Sequence, residues 1–186
     1  MNEFTEILGN ATGAIEASYF RLNIDGGNPV YRERVYCYEL YHQMRRRWPA
    51  ECDFELNGEL DKAAHPILKK LGAAHAKPDL LVHRPGHMSW NHAIIEVKKA
   101  EAPNDGIRKD IHTLDLFLRN VGYQRAIYLF FGHAANDRLV ERVQTIADEF
   151  AELKPIEIWI HQKVGQPATH CTTLQRTAKG CASVMN

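Results

Sequence analysis

The sequence predicts an α/β protein, a three-layer α/β/α sandwich in which helices cover both faces of a central mixed sheet. Three observations carry this expectation. Segments with a helical period and segments with a period of two follow one another as helix, three strands, helix, strand, helix, strand, and such mixing favours a sheet layered with helices. The segment Arg125 to Phe131 is apolar on both of its faces, so as a strand it needs cover on each side. The chain has 186 residues, 45% of them hydrophobic, which suits one domain with one substantial core.

Taken in order, Phe4 to Ala17 has mixed helical character interrupted by Gly9 and Gly13. Ser18 to Ile24 then alternates like a short strand before Asp25-Gly26-Gly27-Asn28-Pro29 forces a turn. From Tyr31 to Trp48 the residues Cys37, Leu40, Tyr41, Met44 and Trp48 fall on one helical stripe, and Pro49 closes the segment. Cys52 to Asp61 reads as a strand with Phe54, Leu56 and Leu60 on one face and the acids Asp53, Glu55, Glu59 and Asp61 on the other. Pro78 to His83 and His92 to Lys99, joined through Arg84-Pro85-Gly86, form an expected antiparallel pair. Gly106 to Val121 keeps Ile107, Ile111, Leu114, Leu118 and Val121 at helical spacing until Gly122 ends it. A strand over Arg125 to Phe131, a helix over Asp137 to Phe150 and a strand over Ile156 to His161 complete the series. Residues 1–164 are thus expected to form a single domain. Residues 165–186 show no period and are expected to be a flexible tail.

Composition narrows the function. Lys and Arg total 23 and so do Asp and Glu, so no long-range field draws the surface to polyanions and any grip on one must be local. The longest apolar run, Ala126 to Phe131, has six residues, against roughly 20 for a membrane-spanning helix, and the first ten residues carry two acids and no basic stretch. Cys37, Cys52, Cys171 and Cys181 are widely spaced and form no Cys-x-x-Cys pair, which fits reduced thiols in a cytoplasm.

Three ionisable residues stand where a plain core would avoid them: Asp79, Glu96 and Lys98. Alternation along His92–Lys99 puts Glu96 and Lys98 on one face, and antiparallel pairing brings Asp79, at the start of the preceding strand, beside Glu96. Two carboxylates this close repel unless a cation lies between them, and Mg²⁺ or Mn²⁺ prefers oxygen ligands. Such a cation would polarise a phosphoryl oxygen, with Lys98 beside it to neutralise developing charge, a combination suited to phosphodiester hydrolysis. On the first long helix, Glu33 lies about 40° from Cys37 at 100° per residue, on the inward stripe, and is a candidate to complete the metal site. Glu39, about 160° away, is expected to face solvent and is the weaker helical acid.

These residues resemble the PD-(D/E)xK phosphodiesterases, the restriction-endonuclease-like superfamily. Pro78-Asp79 looks like the first signature and Glu96-Val97-Lys98 like the second, with sixteen residues between Asp79 and Glu96, and the similarity extends from about Tyr31 to Phe131. The resemblance implies an αβββαβ core and a divalent-metal-dependent nuclease. Asp79 and Glu96 would be its metal ligands, Lys98 the catalytic lysine and Glu33 the accessory helical acid. DNA is the expected substrate before RNA. Glu152-Leu153-Lys154 matches the second signature too, but lies between a helix and Pro155 with no strand expected around it, so context carries the reading.

Plainer readings compete. Glu96 and Lys98 would suit an exposed sheet edge, and Glu33 a first-turn acid favoured by the helix dipole. Agreement of strand context, hairpin order and helical acid favours the site. Arg45, Arg46 and Arg47 complement the carbonyl end of their helix; with Lys69, Lys70, Lys99, Arg108 and Lys109 they are also candidate phosphate contacts. Lys109 and Asp110 open the helix after the signature strand, near which the superfamily often adds polar site residues. His83, His87 and His92 surround the hairpin loop, but no cysteine lies between Cys52 and Cys171 to build the usual structural zinc set. A catalytically silent scaffold binding nucleic acid or protein is the alternative function. A homodimer, or a subunit of a larger defence or repair complex, suits a chain with no separate recognition domain.

Overall fold

Apolar β-branched and aromatic runs place the sheet, and the helices between them cover it. The computed structural model describes residues 3–58, 70 and 77–176. Its elements are α1 (Phe4–Gly13), α2 (Ala17–Phe20), α3 (Glu33–Arg46), β1 (Glu55–Asn57), β2 (Leu80–His83), β3 (Asn91–Lys99), α4 (Asn104–Leu116), β4 (Arg125–Phe131), α5 (Asp137–Ala147), β5 (Leu153–His161) and β6 (Thr169–Arg176). The expected Glu59, Asp61 and Leu60 of the first strand, with Lys69 and Cys181, lie outside the described residues.

The six strands form one mixed sheet in the order β1-β2-β3-β4-β5-β6. β1, β2 and β3 run antiparallel, β3, β4 and β5 are parallel, and β6 returns antiparallel to β5. The parallel steps pass through α4 and α5, as parallel neighbours require a crossover. Alternating side chains of the central strands divide between two apolar clusters. Ala93, Ile95, Val97, Ile127 and Leu129 join residues of α1, α2 and α3, whereas Ile94, Tyr128, Phe130 and Ile158 join residues of α4 and α5. β4 is therefore buried on both sides, as its uninterrupted apolar sequence requires.

Several local expectations are corrected. Ser18–Ile24 is not a strand: Ala17–Phe20 makes a helical turn, and only Leu22 and Val30 bridge across the Gly26 turn. Packing decides this, since the turn delivers Phe20 edge-on to His161 at 4.9 Å and beside Phe131. The helix expected to continue regularly to Val121 widens into a π-helical turn over Phe117–Val121, which keeps both of those side chains in the core. The amide of Asn91 donates to the carbonyl of Val121 at 2.8 Å. Residues expected to fray after Gly165 include β6, whose sequence alternates too weakly to show its pairing with β5. Leu153 and Lys154 of the Glu152-Leu153-Lys154 tripeptide open β5 and so do lie on a strand. Glu152 meets Arg119, remote from the first signature's Asp79.

Glu39 is also corrected: it is 8% exposed, not turned to solvent. The helical wheel supposes one covered face, but α3 touches α1 and α2 as well as β3. Gln43 donates to the Glu39 carboxylate at 2.6 Å, and Arg47 donates to Gln43, so this acid belongs to a structural network on the helix.

Candidate active site at the end of the β2–β3 pairing

β2 is shorter than β3, and the site forms where it stops. Leu80 pairs with Ile95, which places Asp79 opposite Glu96. Beyond this point the backbone amides of β3 that face β2 lose their strand partner, and carboxylates take over. Asp79 Oδ2 accepts from the N–H of Val97 at 2.7 Å, and Glu33 Oε1 accepts from the N–H of Lys99 at 3.2 Å. Two acids thus cap alternate amides along one strand edge, satisfying donors that would otherwise be orphaned.

Alternation sends Glu96 and Lys98 to the face covered by α4. Glu96 is buried, and its carboxyl hydrogen-bonds with that of Asp79. Burial pushes Glu96 well above the usual carboxylate range, and the negative charges of Asp79 and Asp110 add to this. Burial likewise lifts Asp79 to about 6, although the Val97 N–H and the Lys98 charge oppose the rise. The pair resists carrying two negative charges without a counterion.

Lys98 Nζ lies 2.7 Å from Asp110 Oδ2 on α4 and 3.5 Å from Glu33 Oε2 on α3, drawing together both helical layers and the sheet. Burial alone would lower the Lys98 pKa. The hydrogen bond and charge of Asp110, followed by Glu33 and Glu96, outweigh burial and hold it above its ordinary value. The Tyr128 hydroxyl, across the β3–β4 register from Glu96, donates to Asp110 Oδ2 at 2.9 Å.

The four residues singled out in the sequence, Glu33, Asp79, Glu96 and Lys98, therefore gather around the C-terminal half of β3. The three acids do not share one point. Among the described residues no group of three or more His, Cys, Asp or Glu side chains is arranged to hold a metal ion; Glu33 is engaged with Lys98 and Lys99. Asp79 and Glu96 are the oxygen pair. Mg²⁺ is commonly held by one or two carboxylates together with waters and substrate phosphate, so a half-buried Asp79 opposite a buried Glu96 fits a hard divalent cation.

Asp110, which sequence places only near the site, is the closest partner of Lys98. Tyr128 gives one sequence signal: it is the only hydroxyl in the run Ala126–Phe131. Other candidates are engaged elsewhere. Arg108 pairs with Asp105 and Glu149, and Arg47 binds Gln43. His83 contacts Asn57, while His92 is buried against Phe4, Phe54 and Gln124.

No protein-family model, curated protein or solved structure matches the chain. Among the described residues, no helix is long and apolar enough to cross a membrane.

Proposed function

We propose that the chain is a divalent-metal-dependent nuclease that hydrolyses phosphodiester bonds, with DNA its substrate before RNA. On this reading, the three-layer arrangement is a restriction-endonuclease-like αβββαβ core. The observation that carries the proposal is the placement of Asp79 beside the buried Glu96, next to a lysine held cationic by Asp110.

Asp79 and Glu96 would hold Mg²⁺ or Mn²⁺, which supplies Lewis-acid polarisation of a phosphoryl oxygen and makes a bound water more acidic. The protein's own contributions follow from charge. Lys98 is held in its ammonium form, which suits it to stabilise negative charge developing on phosphorus rather than to accept a proton. Asp110 and Glu33 orient the ammonium from two directions, and Tyr128 fixes Asp110. Glu33 joins this set through Lys98 and the Lys99 amide, making it a positioning acid as well as a candidate ligand.

The test is cleavage of plasmid, linear and single-stranded DNA with Mg²⁺ or Mn²⁺. Wild type should cut, and Asp79→Ala or Lys98→Ala should lose on the order of a hundredfold or more in rate. Unchanged cleavage in either variant would reject the assignment. The scaffold reading draws its support from Lys98 already being paired with Asp110 and from the absence of a three-ligand group among the described residues. Nucleic-acid binding without cleavage under every metal condition would favour it.

A further inference from the structure

On the α3 side of the acids lies a cleft of about 490 Å³, bordered by Glu33, Tyr38, Tyr41, Asp79 and Leu80. It is continuous with the site, since Asp79 and Glu33 belong to both. Its size falls within the range of about 300–1,000 Å³ typical of small-ligand sites. Helix geometry sets the spacing: Tyr38 lies five residues beyond Glu33, about 7.5 Å along the helix axis, and Tyr41 lies almost a turn further.

The chemistry of the lining selects the occupant. A duplex grips through many cationic contacts to its phosphates, yet Arg34 is the sole cation among the described residues bordering this cleft. The whole chain balances 23 basic against 23 acidic residues. The cleft instead offers aromatic and aliphatic surface. Tyr38 is 64% exposed, while Tyr41 packs partly against the core and provides a fixed wall. Flat apolar surface beside acids is poorly suited to a phosphate and well suited to the uncharged π-face of a base, which must first be out of its helical stack.

We infer that this cleft receives an unpaired base of the DNA strand being cut, stacked on Tyr38 against Tyr41, so that the preferred substrate is single-stranded or frayed rather than intact duplex. The inference rests on the nuclease reading for its substrate class. It adds a stacking subsite that sets strand preference.

Binding measured without divalent cation separates this subsite from catalysis. A fluorescein-labelled DNA oligonucleotide of mixed sequence, its blunt duplex and its RNA counterpart are titrated by anisotropy in EDTA. Wild type should bind the single strand more tightly than the duplex. Tyr38→Ala should weaken single-strand binding by about 5- to 150-fold, the loss expected for one stacked base, and leave duplex binding unchanged. Tyr38→Phe should retain the wild-type preference, because the ring and not the hydroxyl stacks.

Equal single-strand affinity for Tyr38→Ala and wild type would overturn the subsite, even if the protein cuts DNA. Tighter binding of duplex than of single strand would overturn it as well. RNA bound more tightly than DNA, with the same Tyr38 dependence, would overturn the assignment to DNA. A wild type that shows the expected binding pattern but cuts nothing would leave the stacking surface standing and defeat the nuclease reading alone.

Discussion

Replacing Asp79 by Asn should stabilise the metal-free protein at pH 8. The carboxyl has its pKa raised from an ordinary 3.8 to about 6, first by burial, with the Val97 N–H and Lys98 only partly offsetting the rise. A group whose folded pKa exceeds its unfolded value contributes its full share below the unfolded value, and that share is lost as pH rises through the folded one. Between pH 3.8 and about 6 the ionising Asp79 therefore withdraws stability, by about 3 kcal/mol at ~1.36 kcal/mol per tenfold change in proton affinity. Asn removes that penalty, and its side-chain oxygen still accepts from Val97.

For a chain of this size, 1 kcal/mol moves Tm by about 2–4 °C, so the variant should melt about 6–12 °C above wild type at pH 8. The difference should vanish near pH 4. Differential scanning fluorimetry across this pH range, repeated with excess Mg²⁺, reads both the effect and its cause. Added Mg²⁺ should raise wild-type Tm and leave the variant unmoved. An Asp79→Asn protein that melts below wild type at pH 8, or keeps the same offset at pH 4, would refute the electrostatic reasoning.

Further outcomes follow from other contacts. Asp110→Asn removes the closest partner of a largely buried lysine and should cost on the order of 3 kcal/mol in urea unfolding, with a lower Lys98 pKa by heteronuclear NMR. Tyr128→Phe deletes one buried hydrogen bond to Asp110 and should cost about 1 kcal/mol in the same unfolding assay. His161 is held neutral: its Nδ1 accepts from the Tyr36 hydroxyl at 2.7 Å and its Nε2–H donates to the carbonyl of Lys163. Burial lowers its pKa from 6.5 to about 4, so its contribution is complete above pH 6.5 and is lost as pH falls through 4. Up to about 3 kcal/mol should disappear over that window in pH-resolved melting, and His161→Gln should flatten the slope there.

The central sheet and the acid cluster were legible because period-two alternation and antiparallel pairing are local rules that the β2–β3 unit obeys. Asp79 opposite Glu96 follows from the chain's turn and register alone. Asp110 and Tyr128 were less legible, because their role depends on α4 crossing the face of β3 and on the parallel β3–β4 register, neither of which has a local signature. Glu39 was misread for a related reason. A helical wheel knows the period of α3 but not how many neighbours surround it, and α1 and α2 add cover away from the sheet. Phe20 shows the same limit: a short alternating stretch gave way to a helical turn because an aromatic cluster around His161 and Phe131 took the ring.

Calorimetric titration of Mn²⁺ into the wild type and into Glu96→Ala at neutral pH addresses the acid pair itself. Saturable binding of an ion by wild type, abolished when the Glu96 oxygens are removed while the melting transition stays cooperative, is the predicted result. Identical isotherms for the two proteins would contradict a cation centre at Asp79 and Glu96.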